Sequence, residues 1–282
     1  MFPFLLAVAL TFSPSDAHRA YETAGRFVGA CTPRDAGTPG GRAAADFIFD
    51  AAGKAGVAMT RDSFTVATPK GQRCLANLYG AFKFDASKPW VVLVSHYDTK
   101  TGVDCPGAND GASTTALLIA FAHALSRWQD PAGNVLLVWT DGEECMERYG
   151  ETDGLLGAKR AAAYVRGLKG VDVRAVICLD MLGDADLKIS IPANGSEALT
   201  RIAFRAARKA GYPNLINWIL EYVTDDHVPF LEGGYKAIDM IDFEYGPGNS
   251  YWHTTEDNMS HISEASLLKT GRVVAEMLNI LL

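Results

Sequence analysis

Two adjacent glutamates after a short apolar run are the residues best placed to do chemistry. Residues 135–140 read as a buried strand, and Asp141, Glu143 and Glu144 follow it directly. Open α/β sheets place their active sites at the carboxyl ends of strands. Neighbouring side chains near a strand end point to different sides, so one carboxylate can bind a metal while the other carries a proton. A solvated acidic turn would have the same local sequence, so the interpretation depends on other parts of the chain.

Three further apolar runs also end in a histidine or a carboxylate. Residues 90–95 lead to His96, residues 175–179 to Asp180, and residues 238–243 to a loop that reaches His253. Asp110 lies between two glycines at the start of an apolar stretch. Singly, these residues fit a core histidine, a turn, a surface loop and a helix N-cap. Together they form a set of nitrogen and oxygen ligands that suits zinc better than an iron-sulfur cluster, and the histidines argue against calcium or magnesium.

The elements that position these side chains alternate between strands and helices. Buried or alternating runs predict strands at residues 57–68, 75–84, 90–95, 135–140, 174–181 and 238–243. Apolar periodicity predicts helices at residues 18–30, 43–54, 112–128, 158–167, 197–210 with Ser196 as N-cap, and from Ser263 to 282. This order predicts an α/β fold, a three-layer sandwich with a mostly parallel mixed central sheet flanked by helices.

Composition limits the class of protein. The chain has 282 residues and is 48% hydrophobic, which fits one large domain. The net charge is −7, and scattered lysines and arginines give no basic surface for a nucleic acid partner. Five cysteines without a C-x-x-C pair disfavour a thiolate zinc site, and their odd number leaves at least one thiol free or paired between chains.

The first 17 residues have the pattern of an export signal. An apolar run at residues 2–10 is followed by a polar stretch and the small-x-small sequence Ser15-Asp16-Ala17. We therefore predict a signal peptide at 1–17, a single catalytic domain at 18–282, and a secreted or periplasmic protein. The run is too short to span a bilayer, so no stable membrane association is expected after its removal. The alternative is an N-terminus that is frayed or packs on the core.

Five motifs together resemble the zinc aminopeptidase clan, clan MH, which also contains the glutaminyl cyclases. The similarity covers about residues 20–282 in order and spacing. The motifs are Ser95-His96-Tyr97-Asp98-Thr99, Gly107-Ala108-Asn109-Asp110-Gly111-Ala112-Ser113, Asp141-Gly142-Glu143-Glu144, Leu179-Asp180-Met181 and His253-Thr254-Thr255-Glu256-Asp257. The resemblance implies the zinc exopeptidase fold and a cis peptide bond at Asp110-Gly111.

The two branches of the clan imply different metal counts. In the aminopeptidase branch Asp110 would bridge two zinc ions, Glu144 and His253 would complete one site, and His96 and Asp180 the other. Glu143 would then be the base that activates water. In the cyclase branch one zinc is held by Asp110, Glu144 and His253. Glu143 would move a proton from the substrate α-amine to the leaving amide, assisted by Asp180 and a further aspartate.

Two features favour the cyclase branch. Ten residues, 145–154, separate the glutamate pair from Leu155-Leu156-Gly157-Ala158-Lys159, a length that resembles the cyclases, whereas aminopeptidases have a much shorter loop there. Asp225 stands where aminopeptidases typically carry serine, and in cyclases this carboxylate hydrogen-bonds the one at Asp180. Two carboxyls at such a separation should share a proton. A helix N-cap is the alternative role for Asp225.

Aromatic residues fit the same branch. Trp252 resembles the cyclase tryptophan that lines the glutamine pocket, and Tyr149 falls where a second aromatic residue often sits, although either could be packing. Asp239 departs from the animal cyclases, which commonly have histidine there. The resemblance implies a zinc-dependent glutaminyl-peptide cyclotransferase that acts on peptide or protein N-termini. The alternatives are a two-zinc aminopeptidase and, more remotely, a non-catalytic interaction domain.

Overall fold

An eight-stranded mixed sheet forms the middle layer of the protein. The computed structural model describes residues 9–85, 87–129 and 131–282. The strands are β1 (Ala58–Thr68), β2 (Gly71–Phe82), β3 (Trp90–His96), β4 (Asn134–Thr140), β5 (Val173–Asp180), β6 (Ile189–Pro192), β7 (Ile216–Ile219) and β8 (Ala237–Ile241). Their order across the sheet is β1-β2-β4-β3-β5-β8-β6-β7.

The centre of the sheet consists of four parallel strands. Strands β4, β3, β5 and β8 are neighbours, and β2 and β6 flank them in the antiparallel sense. The central strands β3, β4 and β8 are buried along their whole length, as expected where helices cover both faces. The carboxyl ends of the four parallel strands therefore meet at one edge of the sheet.

Seven α-helices in the described part of the chain form the outer layers. They are α1 (Pro14–Cys31), α2 (Pro39–Gly53), α3 (Thr114–Leu125), α4 (Leu156–Gly167), α5 (Glu197–Lys209), α6 (His227–Glu232) and α7 (Glu264–Leu281). Side chains of α1, α2, α3, α5 and α7 pack with Val91 and Leu93 on one face of the sheet. Side chains of α4 and α6 pack with Val92 and Val94 on the other face. The predicted three-layer α/β fold is confirmed.

The predicted helix at 112–128 is wrong in its bounds. Residues Ala108–Ser113 form a wide, π-type turn in which Asp110 and Gly111 leave helical angles, and α3 begins only at Thr114. Ser196 and Ser263 do precede α5 and α7, but neither side chain makes the capping hydrogen bond. Strands β6 and β7 and helix α6 were not predicted.

The N-terminal segment packs on the domain as far as the structure describes it. Residues 1–8, most of the predicted apolar signal, lie outside the described residues. Leu10 and Phe12 are buried, and Ser13 caps α1. The predicted cleavage point after Ala17 falls in the first turns of that helix, so the signal peptide stays a prediction. Within residues 9–85, 87–129 and 131–282, no helix has the length and apolarity needed to cross a membrane.

Candidate metal centre and catalytic site

The carboxyl edge of the sheet brings two donor groups together around one aspartate. His96 ends β3 and Asp180 ends β5, and His96 Nε2 lies 3.1 Å from both Asp180 Oδ1 and Asp110 Oδ1. The loops after β4 and β8 supply Glu144 and His253. His253 Nε2 is 2.7 Å from Glu144 Oε1 and 3.2 Å from Asp110 Oδ2. Asp110 therefore turns one oxygen toward each group.

Both groups fit a zinc ion. In each of them one donor atom per residue lies within 4.8 Å of the others, a spacing that a single ion can span. The donors are imidazole nitrogen and carboxylate oxygen, the ligands that zinc takes in catalytic sites. The carboxylates are buried, so their negative charges need a positive partner. The same geometry allows one ion or two.

The histidines and carboxylates of the donor groups shift one another's pKa values. Burial opposes charge on His253, but the hydrogen bonds that its imidazole donates to Asp110 and Glu144 outweigh it and raise its pKa to about 10. Burial likewise opposes charge on Asp110, but its two histidine partners hold the pKa of Asp110 well below the ordinary value. The metal-free site therefore keeps protons on its histidines that a metal must displace.

Zinc binding to the metal-free protein should release protons. Because the pKa of His253 is about 10, its imidazole is protonated at neutral pH and must lose about one proton to become a ligand. The apparent zinc affinity should rise with pH up to that pKa. Calorimetric titrations in buffers of different ionisation enthalpy measure the proton count.

The matched control for proton release is His261→Asn, since His261 lies outside both donor groups. This variant should release as many protons as the parent. Zinc binding with no proton release would contradict the assignment of His253 as a ligand.

Glu143 is a buried carboxyl that lies beside the donor groups and belongs to neither of them. Burial, followed by the charges of Glu144 and Asp225, raises the pKa of Glu143 well above its usual value. Tyr149 donates its hydroxyl to Glu143 Oε1 at 3.0 Å. Asp98 accepts from the backbone N–H groups of Glu143 and Glu144 at 3.1 and 3.2 Å, which fixes the pair. A carboxyl with a raised pKa in this position can both accept and return a proton.

The loop at 145–154 carries Tyr149 to the site. Asp153 accepts hydrogen bonds from the backbone N–H groups of Met146, Glu147 and Arg148 at 2.6 to 2.9 Å. Lys159 Nζ donates to the backbone carbonyls of Gly150 and Gly154, in the second half of this segment. The loop is thus folded on itself and holds the tyrosine against Glu143.

Asp180 and Asp225 are coupled through their charges. Both side chains are buried, and no hydrogen bond joins them within the described residues. Asp180 pairs with His96 instead, and Asp225 Oδ1 accepts from the backbone N–H of Asp226. Burial raises the pKa of Asp180 to about 8 and that of Asp225 to about 6, and the charge of Asp225 adds to the shift at Asp180. Proton sharing between them stays a prediction.

Trp252 contacts the donor groups directly. Its indole Nε1 donates to Asp110 Oδ2 at 3.0 Å, and its ring stacks on His253 at a centroid distance of 4.0 Å. Phe243 also packs against the Trp252 ring, at a centroid distance of 5.5 Å. The ring is partly exposed. Its role in lining a substrate pocket stays a prediction.

Backbone geometry around Asp110 agrees with the resemblance. The Asp110-Gly111 peptide bond is cis, as predicted. A Cβ at Gly111 would lie 2.6 Å from His96 Nε2, so a larger residue would push into the histidine. Asp257 accepts from the backbone N–H groups of Asn109 and Asp110 and from the hydroxyl of Tyr245, which holds the segment in place.

Arg34 supports the site, and its role was missed in the sequence. The side chain is fully buried and donates to the backbone carbonyls of Tyr97, Pro106 and Gly107 at 2.5 to 2.7 Å, and to that of Asp110 at 3.3 Å. It thus joins the segment after β3 to the turn that carries Asp110. A lone arginine in a glycine-rich loop gives no sequence signal of this role.

Arg34→Met should destabilise the fold by more than about 3 kcal/mol, because several buried carbonyls would lose a charged donor. Chemical denaturation measures the free energy of unfolding. Arg42→Met is the matched control, since the exposed Arg42 makes one long hydrogen bond to Gly37 O at 3.4 Å and should change stability by less than about 0.5 kcal/mol. Equal losses in the two variants would show that Arg34 does not hold the segment.

The three-layer α/β sandwich and the two donor groups that share Asp110 define a protein of the zinc exopeptidase type. The sequence profile of Peptidase family M28 matches residues 77–278, so the chain belongs to this family. Family membership and the donor groups agree on a zinc-type cofactor.

Known relatives carry two kinds of activity in their names. The glutaminyl-peptide cyclotransferase-like protein of Bos taurus is 28% identical, over 77% of this chain and 63% of that protein. The chain thus spans less than two thirds of the length of this curated relative. A solved glutaminyl cyclase from an Acidobacteriales bacterium is 30% identical, with a TM-score of 0.89 over 100% of this chain and 98% of that one. A leucine aminopeptidase precursor from Bacteroides thetaiotaomicron shares the fold at 24% identity and a TM-score of 0.84, over 97% and 99% of the two chains.

Proposed function

We propose that this protein is a zinc-dependent glutaminyl-peptide cyclotransferase, which converts the N-terminal glutamine of peptides to pyroglutamate and releases ammonia. The observation that carries the proposal is the hydrogen bond from Tyr149, on the long loop after β4, to Glu143 Oε1. This loop distinguishes the cyclases from the aminopeptidases in the resemblance described above. The likeness to the solved glutaminyl cyclase over the whole chain supports the same choice.

The reaction needs a proton moved between two nitrogens of one substrate. The α-amine attacks the γ-carbonyl carbon of the glutamine side chain, a carbon-nitrogen bond forms, and the side-chain amide nitrogen leaves as ammonia. Glu143 accepts the proton from the α-amine and returns it to the leaving nitrogen. Nucleophile and electrophile belong to one molecule, so the site must mainly orient them.

Asp110, Glu144 and His253 would hold the zinc ion. When bound, zinc supplies a Lewis acid that polarises the substrate carbonyl. Tyr149 orients Glu143 through its hydroxyl, and Trp252 offers its ring as a wall for the glutamine side chain. We propose one zinc, because burial and the neighbouring charge of Asp225 raise the pKa of Asp180 to about 8, and a protonated Asp180 weakens the second donor group as a ligand set.

A two-zinc aminopeptidase is the second candidate. Its support is the complete donor group of His96, Asp110 and Asp180, in which His96 Nε2 is 3.1 Å from both carboxylates. In that enzyme Glu143 would activate water, and the products would be a free amino acid and a shortened peptide.

The two candidates can be separated with two peptides of equal length, one starting with glutamine and one with leucine. The cyclotransferase should release ammonia from the glutaminyl peptide and leave the leucyl peptide intact. Enzymatic ammonia detection and mass spectrometry of the peptides read out both reactions. Free leucine, with no ammonia from the glutaminyl peptide, would replace the proposal with the aminopeptidase.

Export is part of the proposal. A cleaved signal at residues 1–17 would deliver the enzyme to the periplasm or the medium, where peptide and protein N-termini are its substrates. N-terminal sequencing of the protein from its native cells tests the cleavage point. A mature chain that still contains Leu10 and Phe12 would contradict it.

A further inference from the structure

His227 lies beside two buried aspartates at a place the reaction described above does not use. It is the first residue of α6, and its side chain is fully buried. One imidazole nitrogen and one carboxylate oxygen each from Asp225 and Asp239 lie within 4.8 Å of one another. His227 Nδ1 and both carboxylate oxygens of Asp239 have no hydrogen-bond partner within the described part of the chain.

The amide of Asn194 determines which nitrogen of His227 carries the proton. Val223 fixes the amide orientation, because its backbone N–H donates to Asn194 Oδ1 at 3.2 Å and its carbonyl accepts from Nδ2 at 2.8 Å. The second hydrogen of Nδ2 points at His227 Nε2, 3.0 Å away. Nε2 must therefore accept, and the neutral ring carries its proton on Nδ1.

This tautomer argues against a third metal ion in the cluster. A histidine that binds a metal through one nitrogen normally donates an N–H from the other. Here the other nitrogen faces a donor, so a metal at Nδ1 would need a ring without any proton. A buried Nδ1–H needs a hydrogen-bond acceptor, and the unpartnered carboxylate oxygens beside it can accept.

We propose that His227 is a positioning residue that donates Nδ1–H to the carboxyl pair of Asp225 and Asp239, and so orients Asp225 toward Asp180. Burial supports this arrangement because it lowers the pKa of His227 to about 4, which keeps the ring neutral at physiological pH. Asp239 stands on β8, and the imidazole reaches the pair from α6 rather than from the sheet. The imidazole thus supplies an uncharged donor to a group of buried carboxyls.

The tautomer can be measured on the zinc-loaded, unaltered protein. Nitrogen-15 labelling of the histidines and two-bond nitrogen-proton spectra separate protonated from unprotonated ring nitrogens. His227 is assigned by the signal lost in His227→Asn. We expect a protonated Nδ1 and a free Nε2 at neutral pH; a protonated Nε2 would overturn the proposal.

Two variants test the positioning role, and this arm rests on the proposed cyclotransferase activity. Asparagine places an amide N–H close to where Nδ1–H lies, whereas leucine fills the space without a donor. His227→Asn should keep kcat/KM within about threefold, and His227→Leu should lower it roughly 10- to 100-fold, mainly through kcat. His18→Asn, an exposed histidine on α1, is the matched control.

The outcomes distinguish this proposal from the proposed function. If asparagine and leucine cause equal loss in folded protein, the donor role of Nδ1 is wrong. If His227→Asn loses one zinc per chain by elemental analysis, the cluster is a metal site and the proposal fails. If the unaltered protein does not cyclise glutaminyl peptides, the proposed function fails, while the tautomer measurement and zinc analysis still decide the role of His227.

Discussion

Glu143→Gln is expected to lower kcat for glutaminyl peptides by roughly 10²- to 10⁴-fold, the range that a general acid or base contributes. Glutamine keeps the shape of the side chain and its hydrogen bond from Tyr149, but it cannot accept and return a proton. Zinc content should stay at the level of the parent enzyme, because Glu143 belongs to neither donor group. Steady-state kinetics and elemental analysis measure the two quantities.

The matched control is Glu147→Gln in the same loop. Glu147 is exposed and pairs with Lys70 at 3.5 Å, so its loss should leave kcat and zinc content unchanged. Loss of zinc from Glu143→Gln would contradict the division of roles between the two neighbouring glutamates. Full activity of Glu143→Gln would show that Glu143 does not carry the proton.

Asp110→Asn should abolish both zinc retention and activity. The carboxylate offers one oxygen to each donor group, and an amide can offer only one neutral oxygen in all. Zinc affinity should fall by more than about 100-fold. Residues that only hydrogen-bond a metal ligand already change metal affinity by about 10- to 100-fold, and Asp110 is a ligand itself. Equilibrium dialysis against a competing chelator measures the affinity.

Asp186→Asn is the control for this change, since its exposed carboxylate pairs only loosely with Lys188 at 3.6 Å. It should bind zinc as the parent does. An Asp110→Asn variant that holds one zinc per chain after dialysis would show that the ion lies elsewhere.

The sequence predicts the central strands of this fold well, because their apolar residues reflect burial on both faces of the sheet. Strands β3, β4 and β5 are continuous apolar runs, which only a doubly covered sheet can bury. A polar residue at the end of such a run stands out against it, and this is how His96 and Asp180 could be found. The cis bond and the division of roles came from the resemblance, since no local pattern specifies them.

The missed elements carry little local signal. Strands β6 and β7 have four residues each, and the first contains a proline while the second exposes Asn217 and Trp218. Helix α6 has six residues and also includes a proline. Such short segments are set by their neighbours in the sheet rather than by their own periodicity.

The contacts that hold the site residues in place could not be predicted from the sequence either. Arg34 and Asp257 act on backbone groups more than sixty positions away, and their partners are backbone carbonyls and N–H groups. The tautomer of His227 depends on Asn194, a residue in a turn with no motif around it. These roles follow only from the folded chain.

The central claim is that Asp110, Glu144 and His253 hold a common zinc ion while Glu143 stays free. X-ray data from crystals of the zinc-loaded protein, collected on either side of the zinc absorption edge, locate the metal without reference to activity. We expect an anomalous peak about 2.0–2.2 Å from His253 Nε2 and from an oxygen of each carboxylate. A peak confined to His96 and Asp180, or one that Glu143 ligates, would contradict the account.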